Sequence, residues 1–284
     1  MALTLAVAAG PDAASRARSA GADHVLILPQ GLRPGPLDFG PAGAAVQVIE
    51  ASDLEGFDLT PVAGGTLLIL STGTERLLDR HPIAALARFT ARFVSAGLRL
   101  GLAGGIEAPD IPRLLVLDPA LLAFDVPADI ENGDIEGLIR LCQGGHAEHP
   151  NDYIDTLFVR DLDLQLPVGA YRSEHGRTQT VRFSLEARVR TSRGAGSMAA
   201  VYSYDLLMDA VAIVSSRGHT PFVETLAEGV ATLVLRDPRV EDILVRVEKL
   251  ELGPRSAGIE IRRTRRDAAL QQAQRGIDFA EPAR

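Results

Sequence analysis

The sequence predicts two folds in one chain. The first half reads as α/β, with parallel strands covered by helices. The second half reads as α+β, in the order strand, strand, helix, helix, strand, strand. Three observations carry this. Up to about residue 143, short apolar runs alternate with helical stretches. The segment Gln143-Gly-Gly-His-Ala-Glu-His-Pro-Asn-Asp152 is polar and contains Gly and Pro, the composition of a linker. Beyond it the apolar pattern repeats every second residue. The boundaries that follow are 1–143, a linker at 144–152, a second domain at 153–266 and a polar tail at 267–284.

In the first half the expected strands are Leu3–Ala8, His24–Leu28, Ala45–Ile49, Thr66–Leu70, Leu98–Leu102 and Leu121–Phe124. A strong helix is expected over Pro82–Ala96, with Ile83, Leu86, Phe89, Phe93 and Val94 as its apolar stripe. Six strand-helix units are too few for an ordinary eight-unit barrel, which needs roughly 200–250 residues. An incomplete, barrel-like layer is the expectation.

In the second half Gln179–Arg190 alternates cleanly. Val181, Phe183, Leu185, Ala187 and Val189 point one way, and Arg182, Ser184, Glu186, Arg188 and Arg190 the other. Asp155–Gln165 is its expected antiparallel partner. Helices follow at about Tyr204–Ser216 and Pro221–Leu235, the second with Thr220 as N-cap and Pro221 at its first position. Strands at about Asp242–Leu250 and Gly258–Arg263 complete the domain.

The composition excludes several classes. The chain has 284 residues, and no apolar run approaches the ~20 residues that span a bilayer. The N-terminus has no basic residue ahead of its short apolar run, so it reads as a first strand, not a signal peptide. One cysteine, Cys142, rules out an internal disulfide framework and fits a cytoplasmic protein. A net charge of −8 argues against general nucleic-acid binding. His146 and His149 have metal-ligand spacing but no second cluster to support them, so no metal is expected.

The most informative residue is Lys249, the single lysine against 28 arginines (29 basic residues less one). A chain that replaces lysine so thoroughly keeps it where arginine fails. Lysine can lose its proton when desolvated, and arginine effectively cannot. Ile243, Val245 and Val247 share one strand face, and Lys249 comes next on that face.

Several stretches of the second half resemble dihydroneopterin aldolase. They are Asp155-Thr-Leu-Phe-Val-Arg160, Pro167-Val-Gly-Ala-Tyr-Arg-Ser-Glu174, Tyr204 at a helix start, Phe222-Val-Glu-Thr-Leu-Ala-Glu228, Val245-Arg-Val-Glu-Lys249 and Gly258-Ile-Glu-Ile-Arg262. The resemblance covers about residues 155–265. It implies the ββααββ tunnelling fold and a symmetric homo-oligomer, a tetramer or octamer, with sites between subunits. It implies that Glu224 anchors the amino-pyrimidine edge of a pterin, with Val223, Tyr202 and Glu174 lining the pocket. Lys249, Tyr204 and Glu174 would move protons in retro-aldol cleavage, with no cofactor. The same family also epimerises its substrate, and a pterin-binding scaffold without turnover is the reading from another class. The loop Thr191–Ala200 lacks the acidic residues common in the family, and the family uses this region to complete a neighbouring subunit's pocket.

The first half resembles (5-formylfuran-3-yl)methyl phosphate synthase, in Ser19-Ala-Gly-Ala-Asp23 and in Phe93-Val-Ser-Ala-Gly-Leu-Arg-Leu-Gly-Leu-Ala-Gly-Gly105 with Asp110-Ile-Pro-Arg-Leu-Leu-Val-Leu-Asp118. That family uses lysines, one of them for a Schiff base. Here Leu28 and Glu75 fall at or near the lysine positions, and Ser71 stands where an aspartate is expected. The half has no lysine, so imine chemistry is excluded by residue type. A degenerate barrel with a structural or interaction role is expected, although Ala103-Gly-Gly105 at a strand end could cradle a phosphate. The two likenesses together imply C1-carrier biosynthesis, of folate or tetrahydromethanopterin.

Overall fold

The computed structural model describes residues 2–37, 45–60, 62–143, 152–192, 202–253 and 255–267. The chain divides into two compact units. Of the described residues, the first takes in those up to 143, and the second takes in 152–192, 202–253 and 255–267. His146 and His149, the rest of the expected loop Thr191–Ala200 after Ser192, and the residues beyond Asp267 lie outside the described residues.

The first unit holds β1 (Leu3–Ala8), α1 (Pro11–Ser19), β2 (His24–Ile27), β3 (Gly35–Leu37), β4 (Val46–Ile49), β5 (Leu67–Ser71), α2 (Leu77–Arg80), α3 (Ile83–Ser95), β6 (Arg99–Ala103), α4 (Asp110–Leu115), β7 (Leu121–Val126) and α5 (Asn132–Cys142). Among the described residues its seven strands run in the order β2-β1-β7-β6-β5-β4-β3. All neighbours are parallel except β3 with β4. The last parallel strand pairs with the first, which is the cyclic order of a barrel opened between β2 and β3. One face carries Leu5, Val7, Val46, Val48, Leu67, Ile69 and other apolar side chains as a continuous core.

Two expectations for this unit are corrected. The six expected strands leave out β3, which has only three residues with Pro36 at its centre, too short to show a period. Val94 is 68% exposed and lies off the stripe of α3, where Ile83, Leu86, Phe89, Thr90 and Phe93 are buried. Position 94 directly follows 93, about 100° further round the helix, so both cannot face the sheet.

The second unit holds β8 (Asp152–Leu166), a 3₁₀ turn (Arg172–Glu174), β9 (Gln179–Ser192), α6 (Asp205–Ser215), α7 (Val223–Val234), β10 (Val240–Lys249) and β11 (Ala257–Thr264). The sheet is antiparallel in the order β11-β10-β9-β8. Val181, Phe183, Leu185, Ala187 and Val189 of β9 have no exposed surface, nor have Ile243, Val245 and Val247 of β10. This face packs beneath the two helices, whose own buried stripes include Leu207, Val211, Ala227 and Val230. The other face is laced with ion pairs, among them Arg182–Asp163 at 2.7 Å and Arg246–Glu260 at 2.7 Å.

Helix α7 starts later than expected. Thr220 is not its cap; Phe222 is, in extended backbone. The backbone of Thr220 is already engaged: its N–H donates to the Pro167 carbonyl, and its own carbonyl accepts from the Gly169 N–H, both at 3.0 Å. A residue bridged to Val168 in this way cannot turn into a helix.

Candidate active site

Lys249 ends β10 on the buried face, opposite Val181 of β9 and Ala257 of β11. Its side chain is only 12% exposed, and its Nζ donates a hydrogen bond of 2.8 Å to Glu174 Oε1. Glu174 comes from the 3₁₀ turn between β8 and β9. Its second oxygen, Oε2, accepts from the Tyr171 backbone N–H at 2.9 Å. Oε1 also accepts from the Gln179 amide at 2.9 Å. The Lys249 ammonium, then the Tyr171 N–H and the Gln179 amide, hold the Glu174 carboxyl down at about 2. The carboxylate is therefore ionised at neutral pH.

The turn is built for this carboxylate. Gly169 has φ +147, and a Cβ there would lie 2.2 Å from Glu174 Cδ. Only glycine leaves the space. The neighbouring His219 Nε2 lies 3.0 Å from the Gly169 carbonyl oxygen, and its ring stacks on that of His175 with centroids 4.5 Å apart. The loop ahead of α7 is thus tied to the turn that carries Glu174.

Gln179 was missed by sequence reasoning, although a signal was present. It is the first residue of β9 and shares the inward register of Val181. It is a buried polar residue on an apolar face, and the partly buried Lys249 holds the like place on β10. Its amide donates to the Val168 carbonyl at 2.6 Å as well as to Glu174.

The other predicted residues fall into two places. Glu224 is exposed in the first turn of α7, next to the buried Val223, in a recess of about 370 Å³ shared with Arg217, Thr225 and Glu228. Glu174 lines a different recess of about 200 Å³ with Ser173, Arg177, Gln179, Glu251 and Leu252. Tyr202 and Tyr204 sit at the opposite end of the sheet. The Arg239 guanidinium lies 4.6 Å from the centre of the Tyr202 ring, and Arg239 immediately precedes β10. From Val240 to Lys249 is nine residue steps, roughly 30 Å of strand. Tyr202 is 6% exposed, and its hydroxyl has no hydrogen-bond partner among the described residues. Burial, with Asp237 nearby, pushes that hydroxyl's pKa well up, against the opposing Arg239. Tyr204, before α6, is 58% exposed. One chain thus brings together Lys249 and Glu174 but not the two tyrosines.

In the first unit the glycines of Ala103-Gly-Gly105 serve packing. Gly104 has φ +112, and a Cβ there would lie 2.0 Å from Thr72 Oγ1. Its carbonyl accepts from the Leu77 N–H at 3.0 Å. Among the described residues no group of three or more His, Cys, Asp or Glu could hold a metal ion. None of the described helices is long and apolar enough to cross a membrane.

No curated protein matches the chain. Among solved structures, one similar chain is a dihydroneopterin aldolase from Burkholderia thailendensis bound to guanine. It is 26% identical over 39% of this chain and 91% of its own, with a TM-score of 0.36. Another is the E. coli dihydroneopterin aldolase in complex with neopterin, 21% identical over 38% of this chain and 98% of its own, with a TM-score of 0.34. Residues 50–126 match the family described as 4-HFC-P synthase. Residues 157–262, which carry Glu174, Tyr202, Tyr204, Glu224 and Lys249, match the family described as dihydroneopterin aldolase.

Proposed function

We propose that the second unit cleaves 7,8-dihydroneopterin by a retro-aldol reaction, giving 6-hydroxymethyl-7,8-dihydropterin and glycolaldehyde. The observation that carries the reading is the 2.8 Å contact of the single lysine, Lys249, with Glu174 at the end of an apolar strand face. The family match over residues 157–262 supports it.

In the proposed reaction a base removes the proton of the side chain's 2′-hydroxyl. The C1′–C2′ bond breaks, and the oxygen's electrons form the aldehyde carbonyl of glycolaldehyde. The electron pair of the broken bond flows into the dihydropterin C=N bond and leaves an enamine, which a proton returning to C1′ converts to product. The pterin is its own electron sink, so the chemistry asks the protein only for positioning and proton transfer. Lys249 lies hydrogen-bonded to an ionised carboxylate, an arrangement suited to donating a proton toward the ring nitrogen. Glu224 would face the two N–H donors of the amino-pyrimidine edge with two acceptor oxygens.

We further propose that a second copy completes each site. The tyrosines assigned to proton transfer and to the pocket wall sit roughly 30 Å along the sheet from Lys249 of their own chain. Strands β8 and β11 are the two edges of an open sheet, where another copy could add its strands. A ring built in this way is the tunnelling fold. The first unit is proposed to be a degenerate barrel without imine chemistry, since it contains no lysine. The pathway served would be folate or tetrahydromethanopterin biosynthesis.

The test is incubation of the full chain with 7,8-dihydroneopterin, following glycolaldehyde, the 2′-epimer and binding by pterin fluorescence. Glycolaldehyde is the expected product. Binding without release of either product would replace the proposal with a non-catalytic pterin-binding role.

A further inference from the structure

The face of the second sheet turned away from its helices gathers arginines at one end. The run Arg262-Arg263-Thr264-Arg265-Arg266 sets four arginines in five residues at and just past the end of β11. Strand alternation divides the first two. Arg263 turns inward to Glu228 of α7, and Arg262 turns outward to Asp242 of β10. Arg188 of β9 stands opposite Asp242 in register. Together Arg188, Arg190, Arg265 and Arg266 line one recess of about 580 Å³, with Ile154 as an apolar wall and Glu241 and Asp242 as its acids.

Several of these arginines are fixed in place by the fold itself. Asp242 is 6% exposed; one of its oxygens accepts from Arg188 at 2.9 Å, and the other accepts from Arg262. Glu241, the extra residue at the bulge of β10, pairs with Arg190. Arg265 donates to backbone carbonyls, those of Pro238 and Val240. Arg266 makes no hydrogen bond or ion pair with a described residue. The adjoining Asp267 accepts from the Thr264 N–H and hydroxyl instead, at 2.8 and 2.7 Å. A guanidinium carries five N–H donors, so Arg188, Arg265 and Arg266 each keep donors for a ligand.

Charge and layout narrow that ligand. Four arginines against two carboxylates leave two positive charges in the recess, on a chain whose net charge is −8. Arg262 and Asp267, which border it, offset each other. The excess selects an anion, and the acidity of the rest of the chain disfavours a long polyanion. The volume is that of a small-molecule site. The arginines stand in two pairs, Arg188 and Arg190 on β9 and Arg265 and Arg266 past β11, with β10 between them. Two strand spacings, roughly 10 Å, separate the two backbones. A diphosphate sets one phosphoryl group against each pair and offers oxygens to each guanidinium fork. A single phosphate would leave one pair unmet.

The geometry points to a binding site for a diphosphate group at this end of the sheet. It lies on the opposite face of β10 from Lys249 of the same chain and, counted from Asp242, seven residue steps away, roughly 23 Å. Isothermal titration of the full chain with inorganic pyrophosphate and with inorganic phosphate, in buffer without divalent metal, tests it. Pyrophosphate should bind at one site per chain, at least tenfold more tightly than phosphate. Arg266→Gln removes no internal contact and should weaken pyrophosphate about tenfold, the scale of one hydrogen bond to a charged group. Arg188→Gln should do the same, with folding checked by circular dichroism. Arg246→Gln, on the same face but paired with Glu260 outside the recess, should bind as wild type does. Adenosine diphosphate, titrated alongside, identifies the source: competition with pyrophosphate shows a diphosphate ester, and binding of pyrophosphate alone shows the free ion. No binding, equal affinity for phosphate and pyrophosphate, full affinity in the folded recess variants, or an equal loss in Arg246→Gln would overturn the site.

Discussion

Glu174 lies between a lysine, a backbone N–H and an amide, and this has a pH consequence. Its carboxyl is held at about 2, against an ordinary value of 4.5. A carboxyl lowered by folding contributes stability that is complete above its unfolded value and is lost as pH falls through its folded value. The pair with Lys249 therefore contributes fully at pH 5 and above, and fades between about pH 4.5 and 2. Urea titrations of Glu174→Gln should show a smaller loss of stability than wild type across that window. Parallel curves for the two proteins would contradict the assignment. At this scale Lys249 and Glu174 were legible, because a lone lysine on an apolar face and a motif glutamate both stand out in the chain. Gln179 escaped attention because it opens its strand, where a polar residue looks like an ordinary boundary. Gly169 was quoted only as part of a motif. Its reason, a carboxylate packed where its Cβ would be, is a contact that sequence does not display.

The strands of the second unit were legible from period-two alternation, since a strand buried on one face must alternate. Phe183 is the largest fully buried side chain of that face. Phe183→Ala should cost about 3–5 kcal/mol in urea unfolding, and a loss below 1 kcal/mol would contradict the packing described. The start of α7 was misread for a physical reason. Thr-Pro is a good N-cap signature, but the bridge to Val168 claims the Thr220 backbone, and tertiary pairing overrides the local signal. The separation of Tyr202 and Tyr204 from Lys249 was also hidden. Spacing along a chain does not say which end of a sheet a helix begins at.

For the whole molecule, the two families matched by residues 50–126 and 157–262 differ in what they need from lysine. With its only lysine in β10, the chain can run lysine chemistry only in the second unit. If a second copy completes each site, two inactive variants should rescue each other. Lys249→Arg and Tyr204→Phe, mixed after unfolding and refolding together, should regain activity that neither shows alone. Absence of rescue, with mixed oligomers demonstrated, would place the whole site within one chain. Sequence could suggest a partnership between copies only through the family likeness. The structure adds a physical reason for it: one chain leaves its tyrosines and its lysine at opposite ends of the sheet.

Glycolaldehyde release from 7,8-dihydroneopterin by wild type and Lys249→Arg, with folding checked by circular dichroism, tests the proposed proton transfer most directly. Arginine keeps the charge but cannot give up its proton. Wild type should release glycolaldehyde in step with 6-hydroxymethyl-7,8-dihydropterin. The folded variant should be slower by roughly 10²–10⁴-fold, the usual worth of a general acid or base. Wild-type-like turnover in Lys249→Arg would contradict the role of Lys249, and no glycolaldehyde from the wild type would contradict the aldolase reaction.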